Sequence, residues 1–372
     1  MSGSKPSEDI GPLKETLDAR AEVFLQDMVE TERFSGVVMV AKAGQILHRR
    51  AYNPRSDAYE IHVGSRLHVG SIGKQFTAAA IMQQVEAGAV QLDGGINDFL
   101  PMAHRAEMWE GINVEHLLAH TSGIPDYALT RDYYDVVDGW ASGSTIEGMI
   151  AEAMTRPLLF DPGTQFRYCN LGYTLLGEII EVATGLRYAD YIKAELLDPL
   201  GMANSQIHNE NYVRLPGDAV GLQWDARRSC HVRNETASLP VTPADGGLIT
   251  TLDDFLRWAA VYRSLTHPKL STPSLERLLA QAAPTETYAW PERSMRGQGF
   301  YGLGLMRSGD LIMHEGSIVG FRSFFIYGRD DDLLISVFSN NTYNDVFRIA
   351  SGLFSLHVPS ASQANQAGGR RG

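Results

Sequence analysis

Ser71 and Lys74 stand three apart in His68-Val69-Gly70-Ser71-Ile72-Gly73-Lys74-Gln75-Phe76, where the pattern predicts a helix from Ser71 to Ala87. That spacing puts both side chains on one helical face. At a helix start, free N–H groups and the positive dipole end stabilise developing negative charge. A serine hydroxyl is a weak nucleophile until a base lies within hydrogen-bond reach. A lysine can be that base only if desolvation or a nearby cation lowers its pKa. The chemistry would be attack on an acyl carbon, leaving an ester on Ser71. The plainer use of the same residues is Ser71 as an N-cap and Lys74 as an exposed helical residue, and four residues alone do not separate the two.

Two other segments offer partners. In Phe166-Arg167-Tyr168-Cys169-Asn170-Leu171-Gly172-Tyr173, a tyrosine and an asparagine two apart precede an apolar helix. The phenol of Tyr168 could share a proton with Lys74, and the Asn170 amide could bond Lys74 and a substrate carbonyl. Tyr168 as a buried aromatic and Asn170 as a helix N-cap is the structural alternative. In His314-Glu315-Gly316-Ser317, Gly316 lets a ligand approach the strand backbone, and the Ser317 N–H could donate to an oxyanion. The alternative there is a hairpin turn with a surface histidine.

In this order, S-x-x-K, Y-x-N and H-x-G, the chain resembles the penicillin-binding-protein-like serine hydrolases, in the class C β-lactamase branch with its esterases, D-amino-acid peptidases and acyltransferases. The resemblance runs from about Phe34 to Leu356. It extends to Leu117-Leu118-Ala119-His120-Thr121-Ser122-Gly123-Ile124-Pro125 and Gly246-Gly247-Leu248-Ile249-Thr250-Thr251. It implies that Ser71 is the acylated nucleophile and that Lys74 and Tyr168 form the coupled base. Asn170 would hold Lys74 and orient substrate. The backbone N–H groups of Ser71 and Ser317 would make the oxyanion hole, and His314 and Gly316 would take the third-motif positions.

His314 departs from the pattern, because β-lactamases and many D,D-peptidases carry lysine there. A histidine is charged only part of the time near neutral pH. The expectation is weak β-lactamase activity at most, with small, uncharged or modestly polar esters and amides as substrates. Arg322 could restore a cation, though it also reads as a solvent-facing strand residue. An acyltransferase would use the same site with an alcohol or amine acceptor in place of water. A D-amino-acid peptidase, and a non-catalytic binding protein on the same fold, are the remaining alternatives.

Other signals are set aside. His116 and His120 have metal-ligand spacing but no third ligand, so no metal and no cofactor is expected. No G-x-S-x-G or G-x-x-x-x-G-K-[ST] occurs. Cys169 reads as a small buried residue, and with only two cysteines there is no disulfide framework. Tyr127, Tyr133, Tyr134, Trp140 and Trp290 could line a pocket, Tyr127 foremost among them.

The elements that must position these residues follow from pattern and length. The chain has 372 residues, 44% of them hydrophobic, and a net charge of −12 that argues against nucleic acid as a partner. A helix is expected from Leu13, a hairpin over Gly36–Tyr52 turning at Lys42–Gln45, and helices near 114–120, 145–155, 171–184 and 188–197. Leu252–Tyr262 reads as a helix with Thr251 and Asp254 as a capping box. Strands are expected at 302–306, 311–314, 321–327 and 333–338, with a last helix from Asn344 to Leu356. Strands near both ends around a helical block predict an α+β fold: one antiparallel sheet flanked by helices, plus an inserted helical lobe. The expected division is 11–100 with 240–357 as the α/β part, 101–239 as the insertion, and 358–372 as a disordered tail. No apolar run is long enough to span a membrane, and no leader is evident at the start, which predicts a cytoplasmic protein. Oligomeric state is not legible.

Overall fold

The computed structural model describes residues 11–53, 59–127, 145–208, 214–233, 243–285 and 299–357. The expectations for 1–10, the tail, Tyr133, Tyr134, Trp140 and Trp290 lie outside them.

The main sheet is built from both ends of the chain. β1 (Gly36–Lys42) and β2 (Gln45–Tyr52) form the hairpin. Their two-residue turn, Ala43-Gly44, has φ of 51° and 76°, the left-handed pair that suits the strand twist. From the other end come β3 (Ala283–Pro284), β4 (Gly299–Tyr301), β5 (Met306–Ser308), β6 (Leu311–Ile318), β7 (Phe321–Gly328) and β8 (Leu333–Ser339). The order is β2-β1-β8-β7-β6-β5-β4-β3, antiparallel throughout. Gly36 pairs with Ser339 and Lys42 with Leu333, so the hairpin extends the late strands into one sheet.

Side chains alternate across a strand, and here both faces are covered. Val38 and Val40, with Ile335 and Val337, pack under the helices Gly11–Glu32 and Val346–His357 through Leu25, Met28, Ile349 and Leu353. Val37, Met39 and Phe338 face the other way, toward Phe76, Phe255 and Trp258. Two-sided burial explains why β1 and β8 read as nearly unbroken apolar runs. Each fully buried Val, Leu or Phe contributes roughly 1.5–3 kcal/mol. The same apolar core continues into the helix Asn170–Thr184 through Leu171, Tyr173, Leu175, Leu176, Ile179 and Ile180.

Three expectations need correction. The run Gly302–Met306 is not a strand before Met306, the first residue of β5: Gly302 N–H donates to the Leu305 carbonyl at 2.7 Å, and Gly304 has φ 77°. Leu303 and Leu305 are buried there as loop residues, which gives a strand-like apolar pattern without strand pairing. Thr251 caps Leu252–Ser264 by accepting the Asp254 N–H, but Asp254 does not reciprocate. Its carboxylate instead accepts from Asn204 N and Ser205 Oγ, so there is a cap but no capping box. The 188–197 helix changes pitch after Ile192, where Lys193–Leu197 widens to a π-turn. Among the described residues no helix is long and apolar enough to cross a membrane.

Candidate active site

Three segments far apart in sequence meet at Lys74. The first is a single 3₁₀ turn, Gly70–Gly73, that leads directly into the helix Lys74–Glu86. Ser71 lies within that turn and is neither an N-cap nor an α-helical residue, which corrects both readings of its position. Gly70 enters with φ 52°, and a Cβ there would stand 2.9 Å from the Ser317 nitrogen. Left-handed geometry and lack of space therefore both call for glycine.

Lys74 is fully buried, so the exposed-residue reading fails as well. Its Nζ donates to Asn170 Oδ1 at 2.8 Å and to the Asp245 carbonyl at 2.6 Å, and lies 3.0 Å from Ser71 Oγ. The rings of Tyr168 and Tyr173 are centred 5.0 and 5.4 Å from it. Burial pushes the ammonium pKa down to about 8, opposed by the negative fields of Asp245 and Asp126.

The second segment is the Tyr168–Asn170 loop. The helix begins at Asn170 itself, and the cap position falls to Cys169, which makes no side-chain cap. The expected N-cap is thus displaced, because the Asn170 amide is used elsewhere: Oδ1 toward Lys74 and Nδ2 donating to Asp126 Oδ2 at 3.1 Å. Asp126 supplies the cap instead, its Oδ1 accepting the Leu171 N–H at 3.0 Å. Cys169 is buried, as expected, and burial pushes its thiol well up.

Tyr168 packs on His120, with ring centres 4.2 Å apart. His120 follows the end of the helix Val114–Leu118 with φ 58°, and its Nδ1 accepts the Cys169 N–H at 3.1 Å. His116 is used on Asn113, whose N–H its Nδ1 accepts. The two histidines therefore point to different work despite their spacing. Among the described residues no group of His, Cys, Asp and Glu is placed to hold a metal.

The third segment is β6. Gly316 packs on the turn before Ser71 so closely that a Cβ would lie 1.8 Å from the Val69 carbonyl oxygen. Ser323, its partner on β7, donates Oγ–H to that same oxygen at 2.8 Å. His314 is buried; its Nδ1–H donates to the Glu315 carbonyl at 2.6 Å, and Nε2 accepts from Tyr301 OH at 3.0 Å. Burial, with Lys74 nearby, pushes its pKa down to about 3, so the ring is neutral. Arg322 sits opposite Ser317, on the sheet face away from Ser323 and Val69, and its Nε donates to the Thr342 carbonyl at 2.9 Å.

Sequence reading named Ser71, Lys74, Tyr168, Asn170, His314, Gly316 and Ser317, and the fold brings all of them to one place. It missed Asp126 and Asp245. Asp126 directly follows Gly123-Ile124-Pro125, and Asp245 directly precedes Gly246-Gly247, so only adjacency to those stretches could have flagged them. The Tyr127 hydroxyl donates to the Asp245 carboxylate.

A family model described as Beta-lactamase matches residues 20–354. Penicillin-binding protein 4* of Bacillus subtilis is 24% identical over 350 residues, 88% of this chain and 73% of that one. A D-aminopeptidase of Gluconobacter oxydans is 26% identical over 320 residues, 82% of this chain and 55% of that one. The chain thus spans little more than half of the D-aminopeptidase. The octameric penicillin-binding protein homologue from Pyrococcus abyssi matches with a TM-score of 0.78 at 27% identity, over 91% of this chain and 76% of that one.

Proposed function

The chain belongs to the beta-lactamase family, and from that premise we propose that it is a serine hydrolase acting on small, uncharged or modestly polar esters and amides through an acyl-enzyme on Ser71. The observation that carries this reading is the buried Lys74 amine 3.0 Å from Ser71 Oγ, with its other two bonds on groups that only accept. With a pKa of about 8, about a tenth of Lys74 is neutral at pH 7.

In that form Lys74 takes the Ser71 proton as Oγ attacks the acyl carbon, and the carbonyl π pair moves onto oxygen. The Ser71 and Ser317 N–H groups receive that oxyanion, each worth ~3–4 kcal/mol. The intermediate collapses as Lys74 and Tyr168 return the proton to the leaving alcohol or amine. Water, activated by the same base, then releases the acid and restores Ser71. An alcohol or amine in place of that water makes the reaction acyl transfer.

The neutral His314 supports the substrate class, since the third motif then offers no fixed charge for a substrate carboxylate. The test is intact mass after incubation with a fluorophosphonate, together with rates on p-nitrophenyl esters, nitrocefin and D-amino-acid amides, for the native chain and Ser71→Ala. Expected are a single adduct on Ser71, ester turnover lost in Ser71→Ala, and nitrocefin turnover far below that of the best ester. Activity retained in Ser71→Ala overturns the mechanism, and nitrocefin matching the esters overturns the substrate class. Product analysis with added alcohols and amines separates hydrolysis from transfer.

A further inference from the structure

A neutral lysine has two N–H bonds and one lone pair besides its carbon, so its usefulness as a base depends on where the lone pair points. Around Lys74, Asn170 Oδ1 and the Asp245 carbonyl can only accept, and they take the two N–H bonds. The direction left over leads to Ser71 Oγ. This holds only while Asn170 presents its oxygen rather than its NH₂ group. What fixes that choice is Asp126, whose carboxylate accepts from Asn170 Nδ2 and is only 6% exposed.

We infer that Asp126 is a positioning residue: by locking the Asn170 amide in one orientation, it aims the Lys74 lone pair at Ser71. The inference rests on the proposed role of Lys74 as base. Neighbouring Tyr127 serves the second acceptor, since its hydroxyl holds the carboxylate of Asp245, whose carbonyl receives Lys74. One dipeptide, Asp126-Tyr127, thus stands behind both bonds that orient the amine.

The arrangement predicts its own inversion. Asp126 Oδ1 accepts two backbone N–H groups, from Tyr127 and Leu171, each at 3.0 Å. In Asp126→Asn the amide oxygen must stay on those donors, which turns the new NH₂ toward Asn170. Two NH₂ groups cannot bond each other, so Asn170 turns over and donates to Lys74. The lone pair is then taken by Asn170 and Ser71 loses its base. Exchanging the pair, Asp126→Asn with Asn170→Asp, restores an acceptor facing Lys74 and a donor facing it from behind.

The charged and titratable groups facing Lys74 are Asp245, Asp126, Cys169, His120, His314 and the rings of Tyr168 and Tyr173. Of these, Asp126 is among those holding the ammonium up, so removing its charge lowers the pH at which the base is freed.

The experiment is the pH profile of kcat/KM for a p-nitrophenyl ester between pH 6 and 10, with thermal midpoints, for the native chain, Asp126→Asn and the exchanged pair. Asp126→Asn is expected to lose on the order of 100-fold at its plateau, the scale of a misdirected general base, with its rising limb moved to lower pH. The exchanged pair is expected to regain about 10-fold or more, with the limb moved to higher pH because a carboxylate now adjoins Lys74. A native rate and limb in Asp126→Asn overturn the inference, as does a loss that the exchange fails to recover. If the native chain forms no acyl adduct on Ser71, the proposed function fails and takes this inference with it. An adduct with unaltered Asp126 variants sinks this inference alone.

Discussion

At His314, complete burial and two committed ring nitrogens fix one tautomer, with the proton on Nδ1 and Nε2 accepting from Tyr301. Imidazole ¹⁵N shifts are expected to report that neutral form from pH 8 down to 5, and a titration midpoint above pH 5 would contradict it. At Lys74 the prediction concerns rate. Lys74→Met removes the proposed base while keeping an apolar side chain of similar reach, and kcat is expected to fall roughly 10²–10⁴-fold. A loss below tenfold, with esters as substrate, would shift the base to Tyr168. These residue types and their spacing were legible in the sequence. Their protonation states were not, because the groups that enclose Lys74 lie far along the chain, such as Asp245, 171 residues away.

Among the elements, β6 and the 3₁₀ turn dock backbone to backbone, with no side chain between Gly316 and Val69. Gly316→Ala must therefore push the strand off the turn. Activity is expected to fall at least about 100-fold, as misplacement near 1 Å does, while the chain stays folded by circular dichroism. Full activity in the variant would mean that the strand yields without moving Ser317. Ser323→Ala, which removes the Oγ bond to the Val69 carbonyl and a longer one, at 3.5 Å, to the Gly316 carbonyl, is expected to cost about 1 kcal/mol in urea unfolding with a smaller loss of rate. The strands were readable because covering both faces demands near-continuous apolar runs. The failures occurred where tertiary contact overrode pattern: Leu303 and Leu305 are buried without pairing, and Ser71 takes a tighter turn than its helical neighbours.

For the whole molecule, burial holds several imidazoles below their ordinary value: His68 and His314 to about 3, His208 to about 4, and His120 well down. Near neutral pH both folded and unfolded chains leave these rings uncharged. Below about 6.5 the unfolded chain takes up protons that the folded chain refuses, so stability is lost as pH falls, by about 1.4 kcal/mol per pH unit for each ring. Asp126 works against this trend, since burial pushes its carboxyl up to about 6 and the folded chain accepts that proton first. The urea midpoint is expected to drop clearly between pH 7.5 and 5.0, and an unchanged midpoint would refute this account. The α+β class was legible from element order alone. The continuity of one core from the sheet into Asn170–Thr184 was not, because it depends on which faces meet.

A sheet assembled from both ends also sets a schedule. The Val69 carbonyl finds its partner in Ser323, 254 residues later, and β1 finds β8 across most of the chain. Pairings so distant form slowly and late. Ser71 emerges from the ribosome before β6 and β7, and its turn has no strand to rest on until they have been made. The growing chain therefore carries the proposed nucleophile unarmed, and reactivity toward an acylating probe becomes a clock for the completion of folding.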